Sequence, residues 1–164
     1  MQAQPVTHAF QPVFDQNSRI LVLGTMPSPS SRKNGFYYSH PRNRFWPVLA
    51  EILQEPLPFT PDEKQELALR RGIALWDVLA SCVIAGADDA SIRQPIPNDL
   101  SLILEHAPIR AVFTTGGKAH QLYQRYCLPK TGVEDIPLPS TSPANCRIGM
   151  AELTQSYRRM LDYL

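Results

Sequence analysis

Four short apolar segments, at residues 20–23, 73–76, 109–114 and 133–138, alternate with stretches of helical periodicity, and this alternation leaves few folds open to the chain. Strands that alternate with helices form a parallel sheet, because each helix carries the chain back over the sheet before the next strand begins. Ile20, Leu21, Val22 and Leu23 form an unbroken apolar run that ends at Gly24, the pattern of a strand covered on both faces. Phe45, Trp46, Leu49, Ile52 and Leu53 then recur at helical spacing. Proline is tolerated only in a first helical turn, so Pro47 starts that helix near Asn43. Thr60, Pro61 and Glu63 spell a capping box for a second helix that stops at Gly72. Residues 77–97 read as a loop, and Asn98 or Asp99 caps a helix carrying Leu100, Ile103 and Leu104. Gly116 and Gly117 open a helix through Tyr126, Pro137 weakens the fourth strand, and residues 150–163 close the chain as a helix. The expected fold is α/β, a three-layer αβα arrangement around a mainly parallel four-stranded sheet. No linker or repeat divides it, so residues 1–164 read as one domain.

Composition narrows the function classes. Three cysteines, Cys82, Cys127 and Cys146, are an odd number without a C-x-x-C spacing, so neither a disulfide framework nor a zinc site is expected. The N-terminal residues lack a basic segment followed by an apolar one, and no run approaches the ~18 apolar residues of a membrane span. The expectation is a soluble, cytoplasmic protein that does not engage a membrane.

Net charge is only +1, but its distribution is uneven. No acid occurs between residues 15 and 51, where Arg19, Arg32, Lys33, Arg42 and Arg44 fall, nor from 106 to 133, which carries Arg110, Lys118, Arg125 and Lys130. From 136 to 151 the only charge is Arg147. If these segments share a face, that face is positive on a nearly neutral protein; a solvated surface with chance spacing is the alternative. In such folds ligands bind at the carboxyl ends of the strands. The long loop 24–44, the turn after Trp76, the stretch 114–118 and the stretch 138–145 all leave those ends.

Several constellations fail. "TTGGKAH" is not a P-loop, because G-x-x-x-x-G-K needs glycine at 112 and Val112 is there. Its glycines either present N–H groups to a phosphate or let a helix pack against a strand. His8, His40, His106 and His120 lie in unrelated segments and form no metal set; for His8, His106 and His120 a solvent-facing or core histidine is the better reading.

Two segments stand apart: "GTMPS" at 24–28 with "YYSHPRNRFW" at 37–46, and "LPSTSPAN" at 138–145. Together they resemble the two signature motifs of the uracil-DNA glycosylase superfamily, and the combination is most similar to its hypoxanthine-DNA glycosylase branch, also called DNA-deoxyinosine glycosylase. The resemblance implies a DNA glycosylase without cofactor, with double- or single-stranded DNA containing a deaminated base as partner. No lysine is clearly placed for a Schiff base, so a monofunctional enzyme is expected; a monomer is expected as well. Rival readings are a uracil or mismatch-specific uracil glycosylase, and a non-catalytic nucleic-acid-binding domain of the same fold.

It also implies roles. Other branches carry a catalytic Asp, Asn or Glu just after the first strand, where this chain has Met26, whose thioether cannot orient a water. The resemblance moves that role to Asn43, which by position equally fits a helix cap. Tyr38 matches the aromatic that stacks on a flipped base, core packing being its alternative. Backbone groups of Gly24, Thr25 and Met26 would read the base edge, together with Asp77 in "LWDVL", where the family often has asparagine. An ionised aspartate only accepts, which suits the N1–H of hypoxanthine; a capping or structural bond is the other reading of Asp77. Ser140 and Ser142, within a motif that includes Asn145, would donate to DNA phosphates alongside Arg42, Lys118 and Arg147. Ala144 sits where relatives place an intercalating leucine and is too small to wedge a base stack.

Overall fold

A computed structural model describes residues 2–8 and 10–164. In chain order its elements are β1 (Gln4–Thr7), β2 (Ile20–Gly24), α1 (Pro29–Asn34), α2 (Phe45–Leu53), α3 (Pro61–Arg70), β3 (Ile73–Asp77), β4 (Leu79–Ala85) and β5 (Asp88–Pro97). There follow α4 (Ser101–Leu104), β6 (Ala111–Thr115), α5 (Gly117–Tyr126), α6 (Leu128–Thr131), β7 (Asp135–Leu138), α7 (Met150–Tyr157) and a 3-10 turn (Arg158–Tyr163).

Four of these strands form a parallel sheet in the order β3-β2-β6-β7, with helices on its faces, which is the α/β layered fold expected. Ile20, Leu21, Val22 and Leu23 have no exposed surface at all, as a central strand requires. Pro137 is tolerated because β7 is an edge strand, where a missing ladder donor leaves no partner unpaired. The capping box at Thr60 forms as read: its hydroxyl accepts from the Glu63 N–H and the Glu63 carboxylate from the Thr60 N–H. Helix α2 starts at Phe45, two residues later than read, and turns its apolar side onto the sheet and α7.

The stretch 77–97 is not a loop. It contains β4 and β5, which pair antiparallel, and β1 adds to β4 to give a second, three-stranded sheet. Periodicity hid them because this hairpin is half solvated and irregular: only Ile92 is buried along β5, its pairing with β4 slips at several points, and Gln94 adopts a left-handed φ of 52°. Pro95 and Pro97 are admissible because β5 is an edge strand. Asn98 joins the two sheets by donating from Nδ2 to the carbonyls of Asp77 (2.9 Å) and Leu79 (3.1 Å).

Candidate active site

In the order β3-β2-β6-β7 the chain reverses direction across the sheet between β2 and β6, and a crevice opens at the carboxyl ends of strands on either side of such a reversal. A cleft of about 270 Å³ lies there. It gathers residues from widely separated segments: Gly24, Tyr38, Asn43, Asp77, Thr115 and Ser140 all line it.

Its floor is Gly24. A Cβ on this residue would stand 2.5 Å from Asp77 Oδ1, 3.2 Å from the Tyr38 hydroxyl and 3.6 Å from Thr115 Oγ1. Three oxygens therefore converge over one Cα, and only glycine leaves them room. The Gly24 and Thr25 carbonyls accept from the N–H groups of Val78 (2.8 Å) and Leu79 (3.1 Å), so the turn after β3 already uses acceptors that the sequence reading offered to a base.

Asp77 is buried, ends β3 and pairs in register with Gly24. Its Oδ2 lies 2.8 Å from His8 Nε2, while Oδ1 meets no protein donor among the described residues. His8 is thus neither solvent-facing nor a bystander: its side chain is 4% exposed, packed by Phe10, Tyr37 and Trp76. Nδ1 lies 3.1 Å from the Phe10 carbonyl and 3.2 Å from its N–H, and Nε2 faces a carboxylate oxygen, which when ionised can only accept from it.

Tyr38 stacks one face on Phe45, with centroids 4.0 Å apart and planes 15° from parallel, and its hydroxyl lies 3.1 Å from Thr115 Oγ1. Burial, and then the Asp77 carboxylate, hold that hydroxyl well above its ordinary pKa, so it remains a donor at neutral pH. Tyr38 has φ 53°, a conformation that costs a non-glycine residue about 1–2 kcal/mol and is held here by the stack and the hydroxyl contact. Asn43 accepts from the Phe45 N–H at 2.9 Å through Oδ1. An N–H can only donate, so the atom facing it must be oxygen, and Nδ2 is left without a protein partner among the described residues. Capping and a cleft-facing donor are two ends of one amide.

The 138–145 loop is tied on itself and to its surroundings. Ser140 Oγ accepts from the Ser142 N–H (3.1 Å) and Ser142 Oγ from the Ala144 N–H (3.2 Å), which leaves both hydroxyl protons free to donate. Asn145 Nδ2 donates to the Ser140 carbonyl (2.9 Å), and the Tyr157 hydroxyl to the Pro139 carbonyl (2.6 Å). Arg44 clamps the loop, donating to the carbonyls of Ile148 (2.7 Å) and Asn145 (2.8 Å). Arg32 likewise donates to the Pro27 carbonyl (3.1 Å). These two cations hold loops together and are not spread over an open surface, whereas Lys33, Arg42 and Arg147 are exposed. Gly116 has φ 97° and a Cβ there would come 3.3 Å from Ser140 Cβ, so its glycine is explained by close packing of two loops.

The geometry agrees with three comparisons. The family model of the uracil DNA glycosylase superfamily matches residues 11–164. The chain belongs to that superfamily. It is similar to a protein of Methanosarcina barkeri named hypoxanthine DNA glycosylase, 35% identical over 139 residues, which cover 84% of this chain and 87% of that one. A protein of the same name from Methanosarcina acetivorans is 35% identical over 144 residues, 87% of this chain and 90% of the relative. The solution NMR structure of a candidate uracil DNA glycosylase from Methanosarcina acetivorans superposes with a TM-score of 0.79 at 30% identity, covering 96% of this chain and 99% of that one. The enzyme kind is therefore a DNA glycosylase.

Within this superfamily architecture the chain's own features become legible. Met26 lines the cleft and leaves the carboxylate or amide found there in other branches to other residues. Lys118, Arg42, Asn145 and Arg147 do not line the cleft; Asn145 and Ala144 border the adjoining groove that the tip of the β4–β5 hairpin shares with the 139–145 loop. Sequence reasoning missed Thr115, which it passed over inside "TTGGKAH", and His8, whose partner lies 69 residues away. It also missed Asp89, a second acid in the cleft besides Asp77. Loss of hydration raises the Asp89 carboxyl above its ordinary range, with Lys118 opposing.

Proposed function

We propose that this protein is a monofunctional glycosylase that extrudes a deaminated base from DNA, hypoxanthine in preference to uracil, and hydrolyses its N-glycosidic bond. The observation that carries the reading is the meeting of Asn43, Tyr38 and Asp77, whose Oδ1 has no protein partner among the described residues, in one cleft at the strand ends. The 35% identical relatives named hypoxanthine DNA glycosylase support the choice of base.

A base must leave the duplex before a pocket can read it. Tyr38 then offers a ring to stack on, and Asp77 Oδ1 accepts one N–H from the base edge. Cleavage breaks the bond between C1′ and the base nitrogen: positive charge develops on the sugar, negative charge on the departing base, and water adds to C1′. Fixed dipoles aimed at that separated charge do most of the work in such a reaction. Asn43 orients the water with its amide, and Tyr38 remains protonated as a donor. No lysine lines the cleft among the described residues, so no amine is at hand for a Schiff base and no strand cleavage is expected.

Labelled duplexes that carry a single inosine, a single uracil or only unmodified bases test the proposal. Release of hypoxanthine faster than uracil, with an intact abasic strand until alkali is added, is the expected result. Faster release of uracil would make this a uracil glycosylase, and release of neither would leave a nucleic-acid-binding domain.

A further inference from the structure

We propose that His8 is a specificity-determining residue: by binding one oxygen of Asp77 it leaves that carboxylate a single open acceptor at the end of β3, which takes hypoxanthine and refuses guanine. The inference rests on the reading of the cleft as a base pocket.

The two purines differ at one place. Both present an N1–H beside the O6 carbonyl, but guanine adds an exocyclic amine at C2 where hypoxanthine has only C–H. A carboxylate with both oxygens open takes the N1–H and the amine of guanine in two parallel bonds, the fork geometry that makes carboxylates strong partners for paired donors. An unrestrained aspartate at the end of β3 would therefore select the normal base over the damaged one. Asp77 is restrained. Oδ2 is engaged at 2.8 Å by His8 Nε2, on a ring that does not line the cleft, and of the two carboxylate oxygens Oδ1 is the one that stands over Gly24. His8 is itself fixed, with Nδ1 3.2 Å from the Phe10 nitrogen and the ring packed edge-on against Phe10 and Trp76. Rotation of Asp77 toward a two-pronged grip would break the His8 bond. A guanine forced into the cleft then leaves its amine without an acceptor, whereas hypoxanthine has no group to leave unpaired.

Equilibrium dialysis with labelled free bases reads this directly. The parent protein should bind hypoxanthine more tightly than guanine. His8→Phe keeps a ring in the aromatic cluster but removes the donor, and should shift the ratio toward guanine by about tenfold, the worth of one bond to a charged group. His8→Gln retains an N–H donor and should keep the parent ratio. A thermal melt of each variant reports folding separately. If His8→Phe weakens both bases equally, or lowers only the melting temperature with the ratio intact, His8 is structural and the inference falls. Because dialysis needs no catalysis, this outcome is separable from failure of the parent to release hypoxanthine from an inosine duplex, which would strike the proposed activity instead.

Discussion

The rings of Tyr38 and Phe45 lie 4.0 Å apart and 15° from parallel, so a base that stacked on Tyr38 as proposed would extend a stack already begun. Phe45 is fully buried in the first turn of α2, which anchors that pair of rings to the core. Tyr38→Ala should weaken capture of the flipped base by about 1–3 kcal/mol, the value of one base–aromatic stack. Tyr38→Phe keeps the ring and loses only the Thr115 contact, so its effect should be mild. Stopped-flow fluorescence with a reporter base beside the lesion separates the two; equal losses would assign the role to the hydroxyl.

Asn43 is expected to do two jobs that different substitutions divide. Asn43→Ala removes the acceptor for the Phe45 N–H at the start of α2 and should cost about 1 kcal/mol of stability while nearly abolishing base release. Asn43→Asp keeps an oxygen for the Phe45 N–H but deletes the Nδ2 donor, so it should melt near the parent temperature and still be inactive. An active Asn43→Asp protein would confine this residue to capping. Binding to an inosine duplex should survive in both.

Gly24→Ala places a methyl group 2.5 Å from Asp77 Oδ1, a distance real Cβ atoms do not tolerate. Either Asp77 swings off His8 or β2 shifts against β3. Base release should fall at least as far as in Asp77→Ala, although only one carbon is added. Rates for the two single variants and the double variant decide it: if Asp77 is the target of the clash, the two losses will not add.

Asp135 links the protein's stability to pH. Its burial alone would raise the carboxyl, but bonds from His120 (2.7 Å), Thr114 (2.6 Å) and Gln124 (2.6 Å) outweigh it and hold the group below 3.8. A carboxyl lowered in the folded state contributes stability that is fully present above its unfolded value and is lost as pH falls through the folded one. Urea melts should therefore show parent stability dropping below about pH 4, and Asp135→Asn should flatten that part of the profile while lowering stability at pH 7.

Salt dependence reports which cations meet phosphate. Arg42 and Arg147 are exposed, and each changed to alanine should lower the slope of log K against log salt by about one. Lys118→Ala should change it less, because Lys118 is only half-exposed and its charge is partly offset by the Asp89 carboxylate. Arg44→Ala should chiefly lower the melting temperature, since its guanidinium is taken up by two carbonyls. Anisotropy titrations across a salt series measure all four.

The strands of the parallel sheet were readable because β2, β3 and β6 are buried along their whole length, and continuous burial leaves a continuous apolar run. The β4–β5 hairpin was not, since a half-wet strand with Gly86, Asp88, Asp89, Pro95 and Pro97 carries the composition of a loop. Asn43, Tyr38 and Asp77 could be singled out because they lie in or beside recognisable motifs, and they do line one cleft. His8 could not, because hydrogen bonding across 69 residues leaves no local pattern. Charge counting misjudged Arg44 for a related reason: whether a guanidinium meets solvent or a carbonyl depends on which loop folds over it.

The hairpin tip with Asp88 and Asp89 and the loop with Ser140 and Ser142 line one groove beside the cleft, so its two banks are electrically unlike. One repels phosphate and the other carries hydroxyl donors. A DNA strand has a direction, and its phosphates are displaced to one side of the base being extruded. On the proposed function, a strand laid in this groove would meet phosphate repulsion on one side only, so one 5′-to-3′ sense would be favoured. The two antiparallel strands of a duplex would then be inspected in separate encounters.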